Sequence, residues 1–255
     1  DVARDAYGQP KEYAYDAGGV QGIHGLYIDD ELCVFKTDKL KNEYIKRMKQ
    51  RWKCQYQGEA TYFIGLCIEQ LEGRTILHQK AYAEEITERF KLPDKKYPQT
   101  PYCPNFDEAV PATTPEQVCN VNEYQQKVGA LLFLLRTRPD MAFCLSALSR
   151  AMSQPTAKCH EAADHALLYL KGTKAWGLQY KRVHPDEFKL KVWSDSDHAS
   201  SKPTRKSQAG YMVSLGSDTN LVSFKSQRMP SVTLSSTESE MVAASFATRE
   251  CLYFR

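Results

Sequence analysis

Three consecutive carboxylates, Asp29, Asp30 and Glu31, interrupt an apolar run between Val20 and Phe35. Apolar residues alternate on both sides and Asp favours turns, so the pattern predicts two strands around a tight acidic turn. Adjacent carboxylates repel each other unless a cation shares them, and paired Mg²⁺ ions held by carboxylates serve phosphoryl transfer between nucleotides. A solvated acidic turn explains the same residues, so both interpretations stay open.

A second group of carboxylates lies near the end of the sequence. Asp195 falls in segment 193–197, which ends a predicted strand, and Glu240 lies near the start of a helix predicted from about 237. An acid at a strand end and an acid in the first turn of a helix packed on that strand can converge on a metal ion. The pair Thr237 and Glu240 also matches a capping box, which gives Glu240 a purely structural role.

The elements of the first half are predicted from hydrophobic periodicity. A helix is expected at about 38–52, with a basic face formed by Lys39, Lys46, Lys49 and Lys53. The β-rich run 61–68 carries Gly65 in mid-strand, which suggests close backbone approach or a bulge. A second amphipathic helix is expected at 80–91.

Five prolines, and the absence of any basic residue between Lys96 and Lys127, mark this segment as a linker or long loop. Beyond it, Asn122 is the predicted cap of a helix with Gln125 at the box position, Pro139 begins the next helix, and a third covers about 158–170. Three strands (189–194, 209–215 and 220–226) then precede the helix from 237. This order predicts a small domain with a mixed sheet.

Composition excludes several classes of protein. The chain has 255 residues, a formal net charge of +3 and 42% hydrophobic residues, with no apolar stretch long enough to span a bilayer. Its eight cysteines include no C-x-x-C pair, which argues against a zinc finger and favours reduced, mostly buried thiols. Since no secretory signal is visible either, we expect an intracellular protein that is not secreted. The histidines, His24 among them, show no ligand spacing and are assigned no chemistry.

An ordered series of short motifs supplies a resemblance that covers about 18–255. The motifs are Tyr27-Ile28-Asp29-Asp30, Tyr62-Phe63-Ile64-Gly65, Gln79-Lys80-Ala81-Tyr82, Val128-Gly129-Ala130-Leu131-Leu132, Thr137-Arg138-Pro139-Asp140, Leu148-Ser149-Arg150, Tyr169-Leu170-Lys171-Gly172-Thr173, Ser194-Asp195-Ser196-Asp197, Lys206-Ser207 before Gly210-Tyr211, and Leu234-Ser235-Ser236-Thr237-Glu238-Ser239-Glu240. In this order they resemble the Pol polyprotein of copia-type LTR retrotransposons. His198 and Phe224 depart from that family's usual aromatic residue and Trp.

The resemblance implies an α+β, or mixed α/β, fold in three parts. Residues 1–92 correspond to the C-terminal part of a reverse-transcriptase palm, 93–185 to a helical thumb and connection, and 186–255 to the beginning of a ribonuclease H-like mixed sheet. It further implies that Asp29 and Asp30 are catalytic metal ligands of the polymerase, and that Asp195 and Glu240 are catalytic metal ligands of the ribonuclease H. Both centres would use two Mg²⁺ ions.

The implied partners are an RNA template, a DNA primer, an RNA–DNA hybrid, dNTP and the rest of the Pol polyprotein, in a cytoplasmic particle or the nucleus and without a membrane. Residues expected at the nucleic acid are Phe63, Ile64 and Gly65, which resemble a primer grip, together with Lys46, Lys49, Lys202, Arg205 and Lys206. For the basic residues a solvated face is the alternative.

The leading hypothesis is therefore a fragment with RNA-directed DNA polymerase and ribonuclease H activities by family. Further ligands are expected before Asp1 and after Arg255, so the fragment alone is expected to be inactive. The alternative is a non-catalytic remnant or an adopted nucleic-acid-binding module.

Overall fold

A computed structural model describes residues 22–93, 95–103, 114, 117–201 and 204–254. The chain divides into two compact units, Asp1–Ile68 and Glu69–Arg255. The described residues form both helices and antiparallel strands, which is compatible with the expected α+β, or mixed α/β, class. The division at 92/93 and 185/186 stays a prediction.

The described part of the first unit contains an antiparallel hairpin. Strand β1 (Gly22–Tyr27) pairs with β2 (Asp30–Phe35), and Tyr27 lies opposite Asp30. Helix α1 (Asp38–Arg51) follows, and its first turn is capped by the Thr37 hydroxyl, which accepts a hydrogen bond from the Leu40 amide. The predicted strands and helix are confirmed, although the turn lies at residues 28 and 29 and not at 29–31.

The run 61–68 is a second hairpin and not one strand with a bulge. Strand β3 (Tyr62–Phe63) pairs with the start of β4 (Leu66–Leu71), with Phe63 opposite Leu66. The two residues between them, Ile64 and Gly65, have φ angles of 49° and 79°. Positive φ at both central residues is what a type I′ turn requires, so Gly65 serves the turn and the mid-strand interpretation was wrong.

Helices form the core of the second unit. Strand β4 ends in this unit and is followed by β5 (Arg74–His78), α2 (Lys80–Arg89), α3 (Val121–Phe133), α4 (Ala142–Leu148), α5 (Ala157–Gly172) and β6 (Gly177–Lys181), which pairs with β5. Helix α5 packs against α2, α3 and α4. Its buried residues are Cys159, Ala162, Ala163, Ala166, Leu167, Leu168, Tyr169 and Leu170.

The cap of α3 lies two residues before the expected one. The Asn120 side chain accepts a hydrogen bond from the Glu123 amide and donates one to the Glu123 carboxylate. Asn120 is therefore the residue that caps α3, and its side chain is bonded to both the amide and the carboxylate of Glu123. The capping box predicted at Asn122 and Gln125 was wrong.

A buried polar network fastens α2, the start of α4 and the end of α5. Thr137 donates to the Gln79 side chain at 3.0 Å. Arg138, which is 2% exposed, donates to both oxygens of the Asp140 carboxylate and to the carbonyl and hydroxyl of Thr173. Because its donors are paired, the guanidinium can lie inside the protein.

The second sheet contains three strands. Strands β7 (Leu190–Asp197), β8 (Gln208–Leu215) and β9 (Leu221–Arg228) pair antiparallel in the order β7-β8-β9, and α6 (Ser236–Tyr253) packs on β7 and β8. The three strands and the helix are confirmed. Among the described residues this sheet is entirely antiparallel, so the expected mixed sheet is not observed there. Short connections join these consecutive strands, whereas parallel pairing requires a longer crossover.

A buried glutamine joins this sheet to the helices of the same unit. Gln208 accepts a hydrogen bond from Arg150 and donates to the hydroxyl groups of Ser146 and Ser226. A second link runs from Asn220 to the backbone of Lys181. The helices and the sheet are thus held together by directional polar contacts.

The cysteines agree only in part with the expectation of reduced, mostly buried thiols. All eight cysteines are free, but only Cys144 and Cys159 are buried, fewer than expected. Within the described residues, no helix has the length and apolar character needed to cross a membrane.

Two glycines are expected to respond oppositely to a methyl group. In β6, a Cβ at Gly177 would lie 2.2 Å from the carbonyl oxygen of Leu77, whereas at Gly129 in α3 nothing lies within 4 Å. We expect Gly177→Ala to lower the free energy of unfolding by about 3 kcal/mol. Gly129→Ala should raise it by about 1 kcal/mol because alanine favours the helix. Urea denaturation followed by circular dichroism measures both, and equal losses would contradict the pairing of β5 with β6.

Candidate metal and nucleic-acid sites

The turn between β1 and β2 presents the first pair of carboxylates. Asp29 lies in the two-residue turn, Asp30 begins β2, and both are exposed. The preceding Ile28 has a φ of 52°, a conformation that a β-branched residue rarely adopts. The turn thus offers two adjacent carboxylates to solvent, as both a shared cation and a solvated turn require.

The opposite face of this hairpin carries a hydrogen-bonded cluster. Glu31 accepts from the Tyr44 hydroxyl at 2.6 Å and is bonded to His24 Nδ1 at 2.8 Å. Burial pushes the pKa of Glu31 upward, but these hydrogen bonds outweigh it and the pKa is lowered. Burial, with the nearby Glu31 charge, raises the pKa of the Cys33 thiol to about 12.

The sequence did not predict the cluster of His24, Glu31 and Cys33, because the turn was expected one residue too late in the chain. His24 also showed no ligand spacing, so it was assigned no chemistry. Once Tyr27 pairs with Asp30, the register places His24 directly opposite Cys33. A shift of one residue moves every partner to the other face of a hairpin. The correct turn position was therefore the signal that would have found it.

The second pair of carboxylates lies on neighbouring elements of the second unit. Asp195 is in β7 and Glu240 is in α6, which packs on that strand. The residues next to them are directly bonded, since the Ser196 hydroxyl donates to the Ser239 hydroxyl at 3.0 Å. Both carboxylates are exposed, and among the described residues neither has a hydrogen-bond or ion-pair partner.

Glu240 has no part in capping α6. The cap is Ser235, whose hydroxyl accepts a hydrogen bond from the Glu238 amide, while the Glu238 carboxylate accepts one from the Leu234 amide. The box predicted at Thr237 and Glu240 was therefore wrong by two residues. Since Ser235 and Glu238 form the cap, Glu240 has no capping role.

The basic residues divide into exposed and bonded ones. Lys46 and Lys49 are exposed on the side of α1 opposite Tyr44, together with Lys39, whereas Lys53 lies beyond the end of the helix. Arg205 is exposed with a φ of 54°, and Lys206 donates to the Pro230 carbonyl. Lys202 lies outside the described residues.

The three expected primer-grip residues form part of the β3–β4 hairpin. Phe63, Ile64 and Gly65 are half-buried. They lie at the turn, so a groove formed by close backbone approach at Gly65 is not needed to explain the glycine. Their contact with a primer stays a prediction.

His198 has a local partner although it departs from the family pattern. Its Nδ1 lies 3.2 Å from the Thr233 hydroxyl, which is also bonded to Ser207 at 2.7 Å. Ser207 accepts a hydrogen bond from the Ala199 amide as well. The histidine therefore ties the loop after β7 to the segment before α6.

Comparison with known proteins identifies relatives along most of the chain. It is 30% identical over 226 residues to an uncharacterized mitochondrial protein of Arabidopsis thaliana, covering 88% of this chain and 91% of that protein. It is 29% identical over 215 residues to the retrovirus-related Pol polyprotein from transposon RE1 of Arabidopsis thaliana, covering 84% and 14% respectively. It is 29% identical over 237 residues to the corresponding polyprotein from transposon TNT 1-94 of Nicotiana tabacum, covering 90% and 18%.

The resemblance stated from the motifs is thus confirmed. The chain belongs to the family of retrovirus-related Pol polyproteins of copia-type transposons. It spans only 14% and 18% of the two polyproteins compared. No protein-family model and no solved structure matches it.

The corrected cap makes two neighbouring glutamates unequal. We expect Glu238→Ala to lower the free energy of unfolding by about 1 kcal/mol, since it removes the bond to the Leu234 amide. Glu240→Ala should change it by less than about 0.5 kcal/mol, as for an exposed side chain that has no partner among the described residues. Thermal and urea unfolding of both variants measure this, and the reverse order would restore the capping role of Glu240.

Proposed function

We propose that this chain is the segment of a retrotransposon Pol polyprotein that supplies carboxylates to two Mg²⁺-dependent centres. Asp29 and Asp30 serve RNA-directed DNA synthesis, and Asp195 and Glu240 serve hydrolysis of RNA in an RNA–DNA hybrid. The observation that carries the proposal is the juxtaposition of β7 and α6 through the bond between Ser196 and Ser239. Family membership supplies the chemistry.

The donors at the ribonuclease H site suit Mg²⁺. This ion prefers oxygen ligands, and both carboxylates are exposed and uncommitted among the described residues. When bound, a pair of such ions activates water and stabilises the leaving oxygen of the RNA strand. Asp195 and Glu240 hold the ions, while Ser196 and Ser239 fix the strand against the helix.

The polymerase site rests on the same donor chemistry. Asp29 in the turn is the metal ligand and Asp30 its supporting partner.

The 2′-hydroxyl and the duplex shape allow the ribonuclease H part to distinguish RNA from DNA. These activities imply a palm, a thumb and a ribonuclease H-like domain, with the boundaries 1–92, 93–185 and 186–255.

The nucleic-acid contacts follow from charge and position. Lys46, Lys49 and Arg205 are exposed, so they can meet the phosphates of template, primer or hybrid. Lys206 is bonded to a backbone carbonyl and must release it to do so, and Lys202 is proposed to contribute its charge as well. The partners are then RNA template, DNA primer, dNTP and the rest of the Pol polyprotein, inside the cell in a particle or the nucleus.

The two carboxylate pairs should separate the two activities. In a Pol reading frame that contains this chain, we expect Asp195→Asn to lower Mg²⁺-dependent cleavage of the RNA in a hybrid by about 10³-fold and to preserve primer extension. Asp29→Asn should do the opposite. Asp218→Asn, at an exposed aspartate paired with Lys191, is the matched control and should change neither rate.

Gel assays with labelled primer and labelled RNA strand measure both rates on the same preparation. Cleavage that survives Asp195→Asn, or extension that survives Asp29→Asn, would contradict the assignment of that centre.

One observation favours a second candidate, a non-catalytic remnant or an adopted nucleic-acid-binding module. The aligned region makes up 91% of the mitochondrial relative, so a protein limited to this segment exists. Such a module would bind an RNA–DNA hybrid while both rates stayed at background in the unsubstituted protein.

A further inference from the structure

The β1–β2 hairpin gathers three metal-binding side chains on the face opposite Asp30. His24 lies directly opposite Cys33, and Glu31 lies one pair further along the same face, opposite Leu26. A ring nitrogen, a carboxylate oxygen and the thiol sulfur all lie within 4.8 Å of one another. Over the described ranges of the chain, no other group of three His, Cys, Asp or Glu residues meets this condition.

The donor set selects the ion. Imidazole and thiolate are ligands of Zn²⁺, which also accepts a carboxylate, whereas Mg²⁺ favours oxygen ligands alone. A mixed nitrogen, oxygen and sulfur set is therefore poorly suited to the ion proposed at Asp29 and Asp195. It is well suited to a borderline-soft divalent cation.

We propose that His24, Glu31 and Cys33 form a Zn²⁺ site. Ligand atoms around a tetrahedral zinc lie about 3.4 Å apart. His24 Nδ1 and Glu31 Oε1 are 2.8 Å apart, so this distance has to increase slightly when zinc binds. Any ligand atoms that are nearly 4.8 Å apart have to move closer together. Side-chain rotations on a fixed hairpin achieve both, and one position of the tetrahedron is left for water.

The surroundings of the three donors are already organised. The Tyr44 hydroxyl donates to Glu31 Oε1 at 2.6 Å, and this bond orients the carboxylate from outside the ligand set. The rings of Phe35 and Tyr44 pack on the His24 imidazole, with centroids 5.2 Å and 4.7 Å away. The side chains of His24 and Glu31 are only 15% and 23% exposed. Such a shell limits water access and fixes the imidazole plane.

A zinc ion here would link β1 to β2 behind the acidic turn. His24 comes from the first strand, and Glu31 and Cys33 come from the second. Since Tyr44 belongs to α1, the same site also fastens the helix to the hairpin. Zinc binding would therefore stabilise the first unit by linkage, whether or not Asp29 takes part in polymerisation.

Spectroscopic titration of the full chain with Co²⁺, followed by displacement with Zn²⁺, tests the site. We expect one equivalent of Co²⁺ to give a thiolate charge-transfer band, which Zn²⁺ abolishes and excess Mg²⁺ does not. Cys33→Ser should remove the band and weaken Zn²⁺ binding by about 100-fold. Cys67→Ser is the matched control, a half-exposed cysteine of the same unit that lies outside the cluster, and should retain both.

Glu31→Gln provides a second test, since the amide oxygen can still accept the Tyr44 hydrogen bond while the ligand charge is lost. It should keep the metal-free circular dichroism spectrum and weaken Zn²⁺ binding at least tenfold. The proposal is overturned if the unsubstituted chain shows no thiolate band. It is equally overturned if Cys33→Ser and Glu31→Gln bind Zn²⁺ as tightly as Cys67→Ser.

Discussion

The buried guanidinium of Arg138 is the interaction on which the second unit depends. It holds Asp140, at the start of the α4 region, and Thr173, at the end of α5, while Tyr169 donates a further hydrogen bond to Asp140 at 2.8 Å. Removing one partner of such a group leaves an uncompensated charge in the interior, which is far costlier than losing an exposed ion pair. The network joins residues of three family motifs, 79–82, 137–140 and 169–173. These motif residues therefore have a role in packing the second unit.

Two further family motifs are joined by a hydrogen bond where α6 packs on the β7-β8-β9 sheet. The motif that contains Asp195 and the motif that contains Glu240 meet through the hydroxyl groups of Ser196 and Ser239. The serine at position 239 is fully buried, so its bonds fix how α6 lies on β7. Each carboxylate is then adjacent to a fixed residue and faces solvent, which is the condition for ligating an ion without first losing a protein partner. The two serines thereby hold together the strand and the helix that carry the proposed ligands.

Periodicity and turn composition predicted the element types well, and the errors share one physical origin. The hairpin turn, the α3 cap and the α6 cap were each displaced by one or two residues, because several neighbouring Asp, Asn, Ser and Thr side chains can serve a turn or a cap. Only backbone geometry selects among them, as it does for Ser235 over Thr237. A small displacement has large consequences at a site: it hid the pairing of His24 with Cys33 and gave Glu240 a capping role that it does not have. The two carboxylate pairs could be proposed from the sequence because each of the motifs that carry them is local, and their catalytic role stays a prediction.

The central claim is that Asp195 and Glu240 act on the same ion. A double-substitution cycle on Mn²⁺ affinity, with free Mn²⁺ counted by electron paramagnetic resonance, tests it most directly. The account predicts that Asp195→Asn and Glu240→Gln each weaken one binding event, and that the double variant binds no more weakly than the more severe single variant. Independent effects that multiply in the double variant, or an affinity unchanged by either substitution, would contradict it.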